Sequence, residues 1–574
     1  MKKNILTFED INFGKEIKTG DIIELRDFSK YLPEAKNENV KWQTKDYYLL
    51  NGTLGKMLYL NHTLPITAET DYDTIDFTEN GMPLKIKIPL PLKGKYAIWA
   101  GNPNVDIAID NEDFVAVKME HGGRYGRRIG KEANREYFVF YRNAEINEST
   151  VYIKIPYGTF PSTPLIEASL SSLRFIKLSD EASLAPVDNK ADKDFIMVVD
   201  GGSHYFTYGI LGRCFDLRYI PTYAQSDVKI FMHQIMGPLL WKSDLNSYLG
   251  EEATPEDYKG KRIGDVRNYK YVKDSIEKGY DVFNIFPEEC HKHGMESHFS
   301  IRANLYFEAE SKYMKGNDIL NGRFHKEHPE YRLPNSLKLD YGLKEVQDYH
   351  LAIYREVLEK FDVDGINLDL TRWPKCLDAD YHSDDLLIDI CKKLRSLADE
   401  YGIKKNKKIK VSLLLVEYYH SRCTLEEQAI NFEKLMASKT LDFVCLETNE
   451  PEKYIPIAHK YGVKFHGIID SESPYFNDNS KDPLWKLPDG SITDDPVAGS
   501  EFIKEEFEPT WPAPFEFVNM MDNFYDAGAD GIAKVNSFMG SLYFRDCGHS
   551  ELVKKHAEEQ SVFGQKAGDY IFFK

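Results

Sequence analysis

The run Asp364-Gly-Ile-Asn-Leu-Asp369 ends in a carboxylate that follows an apolar alternation: Ile366, Leu368 and Leu370 take turns with Asn367 and Asp369. Such alternation reads as a strand. A carboxylate among aliphatic residues is costly to bury and needs either a partner or a task. Arg372 is the nearest cation in sequence. Other acids end similar apolar runs: Asp200, Glu417, Glu447 and Asp470. Further polar groups stand at the run ends: His233 with Gln234, Arg302 with Asn304, Tyr418, and Lys534 with Asn536. Acids gathered at one place, with cations among them to offset their repulsion, suit glycoside hydrolysis. That reaction needs a protonated acid and an ionised carboxylate on either side of the scissile bond. Asp369 is the candidate nucleophile or base. Glu447 is the first candidate for general acid and Glu417 the second. Arg302, Asn304, Arg372, Asp470, Asp200, His233, Tyr418 and Asn536 are candidates for holding sugar hydroxyls or tuning the acids. Trp373, Tyr418, Tyr419, Tyr475, Trp485 and Trp511 could stack on sugar faces, though core packing explains most of them equally well.

Other chemistries lack their patterns. The chain has no HExxH, no P-loop and no GxSxG,. His291 and His293 are spaced as a ligand pair, but they lie late in a helical stretch just before Gly294. No metal and no cofactor is expected.

These residues need elements to bring them together. From Phe195 onward, strand-like runs cover 195–200, 229–236, 296–304, 364–370, 408–416, 441–447, 464–470 and 531–536. Amphipathic stretches at 341–361, 384–401, 425–437, 450–461 and 515–527 lie between most of them,. Eight strands alternating with helices predict a (β/α)8 TIM barrel over 186–574. In such a barrel the C-terminal strand ends meet at one mouth, where active sites sit. An open doubly wound sheet is the alternative, but no GxGxxG follows a strand. Residues 1–185 carry short alternating runs broken by Asn51-Gly, Asn80-Gly and Lys93-Gly, and predict an N-terminal antiparallel β-sandwich,. It would bind carbohydrate or brace the barrel. The fold class expected is therefore α/β, a TIM barrel preceded by a sandwich. The polar, Pro-rich and aromatic insertion at 471–512 reads as a lid or a subunit contact.

Composition narrows the partners. Lys and Arg number 73 against 92 Asp and Glu, a net charge of −19 that argues against nucleic acid and anionic membranes,. No apolar run approaches the ~20 residues of a membrane span. The start carries no apolar leader segment, and seven dispersed Cys without CxxC read as reduced thiols, so a cytoplasmic location is expected,. The expected partner is an oligosaccharide substrate, with assembly into a homo-oligomer left open.

Ser300-Ile-Arg-Ala-Asn304, His328-Pro-Glu-Tyr331, Leu339-Asp-Tyr341, Glu345-Val346 and Phe361 through Asp369 and Arg372 occur in an order that resembles bacterial glycoside hydrolases with a family-10-like barrel. The resemblance covers about residues 195–545 and is strongest over 296–374. It implies a glycosidase barrel with Asp369 in its site. The same run is similar to the DGxDxDxE signature of family 18 chitinases at Asp364, Gly365 and Asp369. Asn367 replaces an Asp there, and Thr371 stands where the catalytic Glu belongs. The chain also lacks, on this strand, the Asn-Glu pair of family-10 xylanases. A fourth-strand Asp with a sixth-strand acid resembles α-galactosidase-type barrels, which implies Asp369 as nucleophile and Glu447 as acid/base. The rival readings are a carbohydrate lyase or isomerase in the same cavity, and a non-catalytic carbohydrate-binding protein.

Overall fold

The computed structural model describes residues 5–36, 38, 40–49, 53–62, 84–118, 134–136, 138–155, 168–184, 191–200, 220, 223, 226–235, 237–254, 256, 263–279, 282–304, 321–371, 377–417, 423–470, 485–486, 492–493, 501–502, 514–535, 545–562 and 570–573. Eight strands form a closed parallel barrel in chain order: Asp194–Asp200 (β1), Val228–Ile235 (β2), Glu296–Arg302 (β3), Gly365–Asp369 (β4), Lys410–Val416 (β5), Phe443–Glu447 (β6), Lys464–Asp470 (β7) and Gly531–Val535 (β8). β8 pairs with both β7 and β1, which closes the ring. The mixed α/β class and the eight barrel strands expected from the sequence are therefore present, with ends shifted by a few residues.

Parallel neighbours cannot be joined by a tight turn and need a crossover, usually a helix. Among the described residues, a helix follows every strand from β2 to β8. These are Ile263–Glu277 (α1) and Val282–Lys292 (α2) after β2, then Lys344–Lys360 (α3), Asp385–Lys405 (α4), Phe432–Ala437 (α5), Pro451–Lys460 (α6), Pro514–Asp526 (α7) and Ser550–Val562 (α8). α3 shows how the sequence selects this state. Val346, His350, Ile353, Tyr354, Val357 and Leu358 are buried, and their spacing draws one stripe along the helix,. α4 ends where Asn406 enters the left-handed region at φ 51°, a conformation Asn tolerates better than most residues,.

The strand pleat separates two layers. Met197, Phe231, Ile301, Leu368, Leu415 and Ile532 join the apolar layer that packs against the helices. Ile196, Val198, Met232, Leu414, Cys445, Ile468 and Ala533 form a separate cluster inside the barrel. The interior is thus a filled core rather than a pore.

Before the barrel, two sheets contribute to one hydrophobic core. A five-stranded sheet runs in the order Ile5–Thr7, Ile22–Leu25, Ser172–Lys177, Lys93–Gly101, Phe138–Asn147. A nine-stranded sheet contains Val40–Leu49 and Leu54–His62, which pair antiparallel through nine residues from Val40↔His62 to Tyr48↔Leu54. The strand Tyr570–Phe573 pairs antiparallel with Val40–Leu49 and with Asn134–Arg135. The sequence division at 185/186 gave these last residues to the barrel, whereas their backbone pairing lies in the sheet of the N-terminal region. A short strand with its partners hundreds of residues away carries no local signal of that pairing. Arg545 links the two regions by donating Nη1 to the Tyr141 carbonyl (2.7 Å) with its guanidinium over the Phe140 ring (4.8 Å).

Candidate active site

The barrel interior is layered from floor to mouth. At the N-terminal floor, Asp194 meets Lys229 (2.6 Å) and Lys464 (2.8 Å), and Glu296 meets Lys410 (2.7 Å) and His298 (3.1 Å). The fully buried rings of His298 and His466 flank Phe443, with centroids 5.9 and 5.0 Å away. Charge pairs at this end of a barrel serve its stability rather than chemistry. Above it, Ser300 donates to Asn367 Oδ1 (2.7 Å) and Asn367 Nδ2 donates to Ser412 Oγ (2.8 Å), a chain across β3, β4 and β5 with no exposure to solvent. The chain is complete, which is the condition under which buried polar groups are tolerated.

At the mouth, Asp369 is 1% exposed and ends β4. Its Oδ2 accepts from Arg302 Nε (3.0 Å) and from Gln234 Nε2 (2.5 Å). Its Oδ1 accepts from the Thr371 amide (2.8 Å) and the Thr371 hydroxyl (2.6 Å). Arg302 Nη2 in turn donates to Gln234 Oε1 (2.7 Å). A carboxylate offers about four acceptor positions, and all four are filled. The partner the sequence suggested was Arg372, which lies outside the described residues. The cation that meets Asp369 is Arg302, brought beside it by the β3–β4 register, in which Arg302 pairs with Asp369. Gln234 and Thr371 were not among the predicted site residues. Both had a signal. Gln234 shares the inward alternation of Ile230 and Met232, and an Asp often bonds the backbone two residues on.

Glu447 ends β6, 2% exposed, at the position paired with Val416 of β5. It continues the inward series Phe443, Cys445, Glu447, so its strand end opens on the same lumen as Asp369,. β4 and β6 are separated by β5, which puts their backbones ~10 Å apart at two strand spacings. Glu417 goes elsewhere. It follows Leu413 and Leu415, which belong to the outer layer. Its carboxylate accepts from the Tyr454 hydroxyl of α6 and from Thr448 Oγ1 (3.0 Å). Burial, and then this carboxylate, push the Tyr454 phenol well above its ordinary range. The Glu417 amide donates to the Glu447 carbonyl (3.0 Å), so Glu417 ties the end of β6 to α6 from outside the barrel.

His233 also faces outward. It is 1% exposed, with its ring edge-on to Phe286 of α2 at 4.4 Å. Of the His233-Gln234 pair it is Gln234, not the predicted His233, that turns toward Asp369, because neighbouring residues in a strand face opposite ways,. Asn304, 2% exposed, lies two residues beyond Arg302. Asp200 and Asp470 close β1 and β7 at the positions paired with Gln234 and Val535. Arg372, Tyr418 and Asn536 lie outside the described residues, as does most of 471–512. The structure thus brings Asp369, Arg302 and Gln234 together, sets Glu447 on the same rim, and separates Glu417 and His233 from it.

Among the described residues no group of three His, Cys, Asp or Glu is placed to hold a metal ion, and no helix is long and apolar enough to cross a membrane.

No family model and no curated protein sequence matches the chain. Solved structures similar to it include a glycoside hydrolase family 18 N-acetylglucosaminidase from Paenibacillus barengoltzii, at 9% identity over 61% of this chain and 99% of that one, with a TM-score of 0.31. A chitinase from Chromobacterium violaceum matches at 10% identity over 63% and 99%, with a TM-score of 0.32. A β-hexosaminidase from Streptomyces plicatus matches at 11% identity over 68% and 67%, with a TM-score of 0.29. A likeness this weak decides neither fold nor chemistry, which rest on the barrel and its rim as described.

Proposed function

We propose that the chain is a glycoside hydrolase that cleaves an oligosaccharide at the C-terminal mouth of the barrel. The observation that carries this reading is the pair Asp369 and Glu447, two buried acids that each end a barrel strand on its inward face. Glu447 would protonate the leaving glycosidic oxygen. Asp369, ion-paired to Arg302, would act as the carboxylate, either attacking the anomeric carbon or activating a water,. For that step one Asp369 oxygen must be released, and the Thr371 hydroxyl is the donor that can turn away by rotating its C–O bond,. Arg302 and Gln234 would keep the carboxylate aimed meanwhile. Asn304, Asp200 and Asp470 would hold sugar hydroxyls, as would Arg372, Tyr418 and Asn536. The two N-terminal sheets would form a sandwich that braces the barrel.

One observation favours a second reading, a carbohydrate-binding protein without turnover: all four acceptor positions of Asp369 are occupied from within the protein. Kinetics of Glu447→Gln separate the two. If Glu447 is the acid, turnover of natural glycans falls ~10²–10⁴-fold, as loss of a general acid does. Turnover of aryl glycosides with good leaving groups falls much less. An equal loss for both leaving groups would reject Glu447 as the acid. Wild-type protein that binds glycans and cleaves none would reject the enzyme reading.

A further inference from the structure

Asn304 is 2% exposed, yet among the described residues neither its Oδ1 nor its Nδ2 has a hydrogen-bond partner. Its place is well fixed. The β3–β4 ladder runs one step past Arg302, because the Ala303 amide donates to the Asp369 carbonyl (2.9 Å). Ala303 belongs to the outer apolar layer. The pleat therefore turns Asn304 to the opposite side, the one Arg302 occupies, directly above the Asp369 cluster. Tyr341 holds this corner by donating its hydroxyl to the Ala303 carbonyl (2.9 Å), and His350 Nε2 lies 2.9 Å from that hydroxyl.

A buried primary amide normally spends its donors and its acceptor, and leaving them unmet costs stability. The groups beside it do not meet them. Asp369 is saturated by its four donors, and Arg302 is engaged with Asp369 and Gln234. What remains at this corner is one neutral donor and one neutral acceptor side by side on a rigid support. Their complement is a pair of neighbouring hydroxyls, one donating to Oδ1 and one accepting from Nδ2. Arg302 and Asp369 offset each other's charge, so this cluster offers no net charge to a carboxylate or a phosphate. We infer that Asn304 anchors an uncharged saccharide through two adjacent hydroxyls beside Asp369. The inference rests on the glycosidase reading of the same mouth and narrows its substrate to neutral sugars.

The test is calorimetric titration of the purified full chain with neutral mono- and oligosaccharides and with their matched uronate and phosphorylated forms. Wild type is expected to bind a neutral member at least tenfold more tightly than its charged counterparts. Asn304→Ala and Asn304→Leu are each expected to weaken that binding ten- to a hundredfold, with an unchanged or raised melting temperature, since an unmet buried amide is being removed. Preference for a charged sugar, or affinities within twofold of wild type in both variants, would overturn it. So would a melting temperature that drops by several degrees without a change in affinity, which marks a structural Asn. Turnover that needs Glu447 alongside unaffected Asn304 variants would leave the glycosidase reading standing and this inference fallen. Wild type that binds no saccharide would remove both.

Discussion

Asp369 and Arg302 are both withdrawn from water and are ion-paired to each other. Removing one partner of a buried pair leaves the other uncompensated, which costs ~3–5 kcal/mol. Asp369→Asn is therefore expected to lower the free energy of urea unfolding by about that much. Adding Arg302→Met should restore much of it, because no orphan charge remains, while turnover stays lost in both. A single variant that costs under ~1 kcal/mol would show that the pair is not coupled in this way. Glu417 gives the opposite pattern, since its carboxylate serves Tyr454 and Thr448 behind the barrel wall. Glu417→Gln is expected to cost ~1–3 kcal/mol of stability through weakened buried hydrogen bonds, with turnover per folded molecule within a few-fold of wild type. A hundredfold loss of turnover at full stability would return Glu417 to the chemistry. Sequence alone could name the acids, because a charge that ends an apolar run is visible at any distance. It could not pair them. Arg302 and Asp369 are 67 residues apart and meet only through the strand register, whereas Arg372 looked nearer because sequence distance was the only measure at hand.

At the level of the strand, the alternation in β4 was legible because both faces are constrained. Ile366 and Leu368 must meet helices, and Asn367 and Asp369 must meet polar neighbours inside the barrel. β2 was harder, since His233 and Gln234 are both polar and only the face shared with Ile230 and Met232 tells them apart. Glu417 turns away from the mouth for a related reason. It lies one residue beyond β5, and the inward position at that level is taken by Val416, which pairs with Glu447. β4 starts at Gly365, and the glycine has a specific role there. A Cβ placed there would lie 2.4 Å from the His298 ring, which fills the barrel floor. Gly365→Ala is expected to destabilise by ~1–3 kcal/mol through overpacking. His298→Ala in the same chain should recover part of the loss in a thermal unfolding series, because it removes the atoms that clash. A Gly365→Ala protein as stable as wild type would mean that the floor is looser than its contacts suggest.

Across the whole molecule, several buried titratable groups act in one direction. Burial brings His325 down to about 4 and His350 down to about 3, from an ordinary value of 6.5. Burial alone would raise Glu296, but hydrogen bonds from His298 and Lys410 outweigh it and bring it down to about 2. Asp194, buried too, is carried far below its ordinary range by His466, Lys229 and Lys464. In every case the folded value lies under the unfolded one. The unfolded chain therefore binds the proton first as the pH falls, and stability drops across the gap between the two values. For the histidines the gap opens below pH 6.5 and closes near 4 and near 3. For Glu296 it runs from 4.5 to about 2. Acid destabilisation is thus expected in two stages, first from neutral histidines that must charge, then from carboxylates that lose their partners. Each histidine contributes a slope of ~1.4 kcal/mol per pH unit within its window. Burial holds the fully buried His466 below its ordinary value as well, so the unfolding free energy should fall between pH 6 and 4.5 with a slope of about two to three protons. His350→Gln should reduce that slope by about one proton while leaving the second stage in place. Urea unfolding at half-unit pH steps measures both quantities. A flat profile from pH 6.5 to 4.5, or an unchanged slope in His350→Gln, would show that these imidazoles do not stay neutral in the fold, and that the corner His350 supports beneath Asn304 is more open to water than its burial indicates.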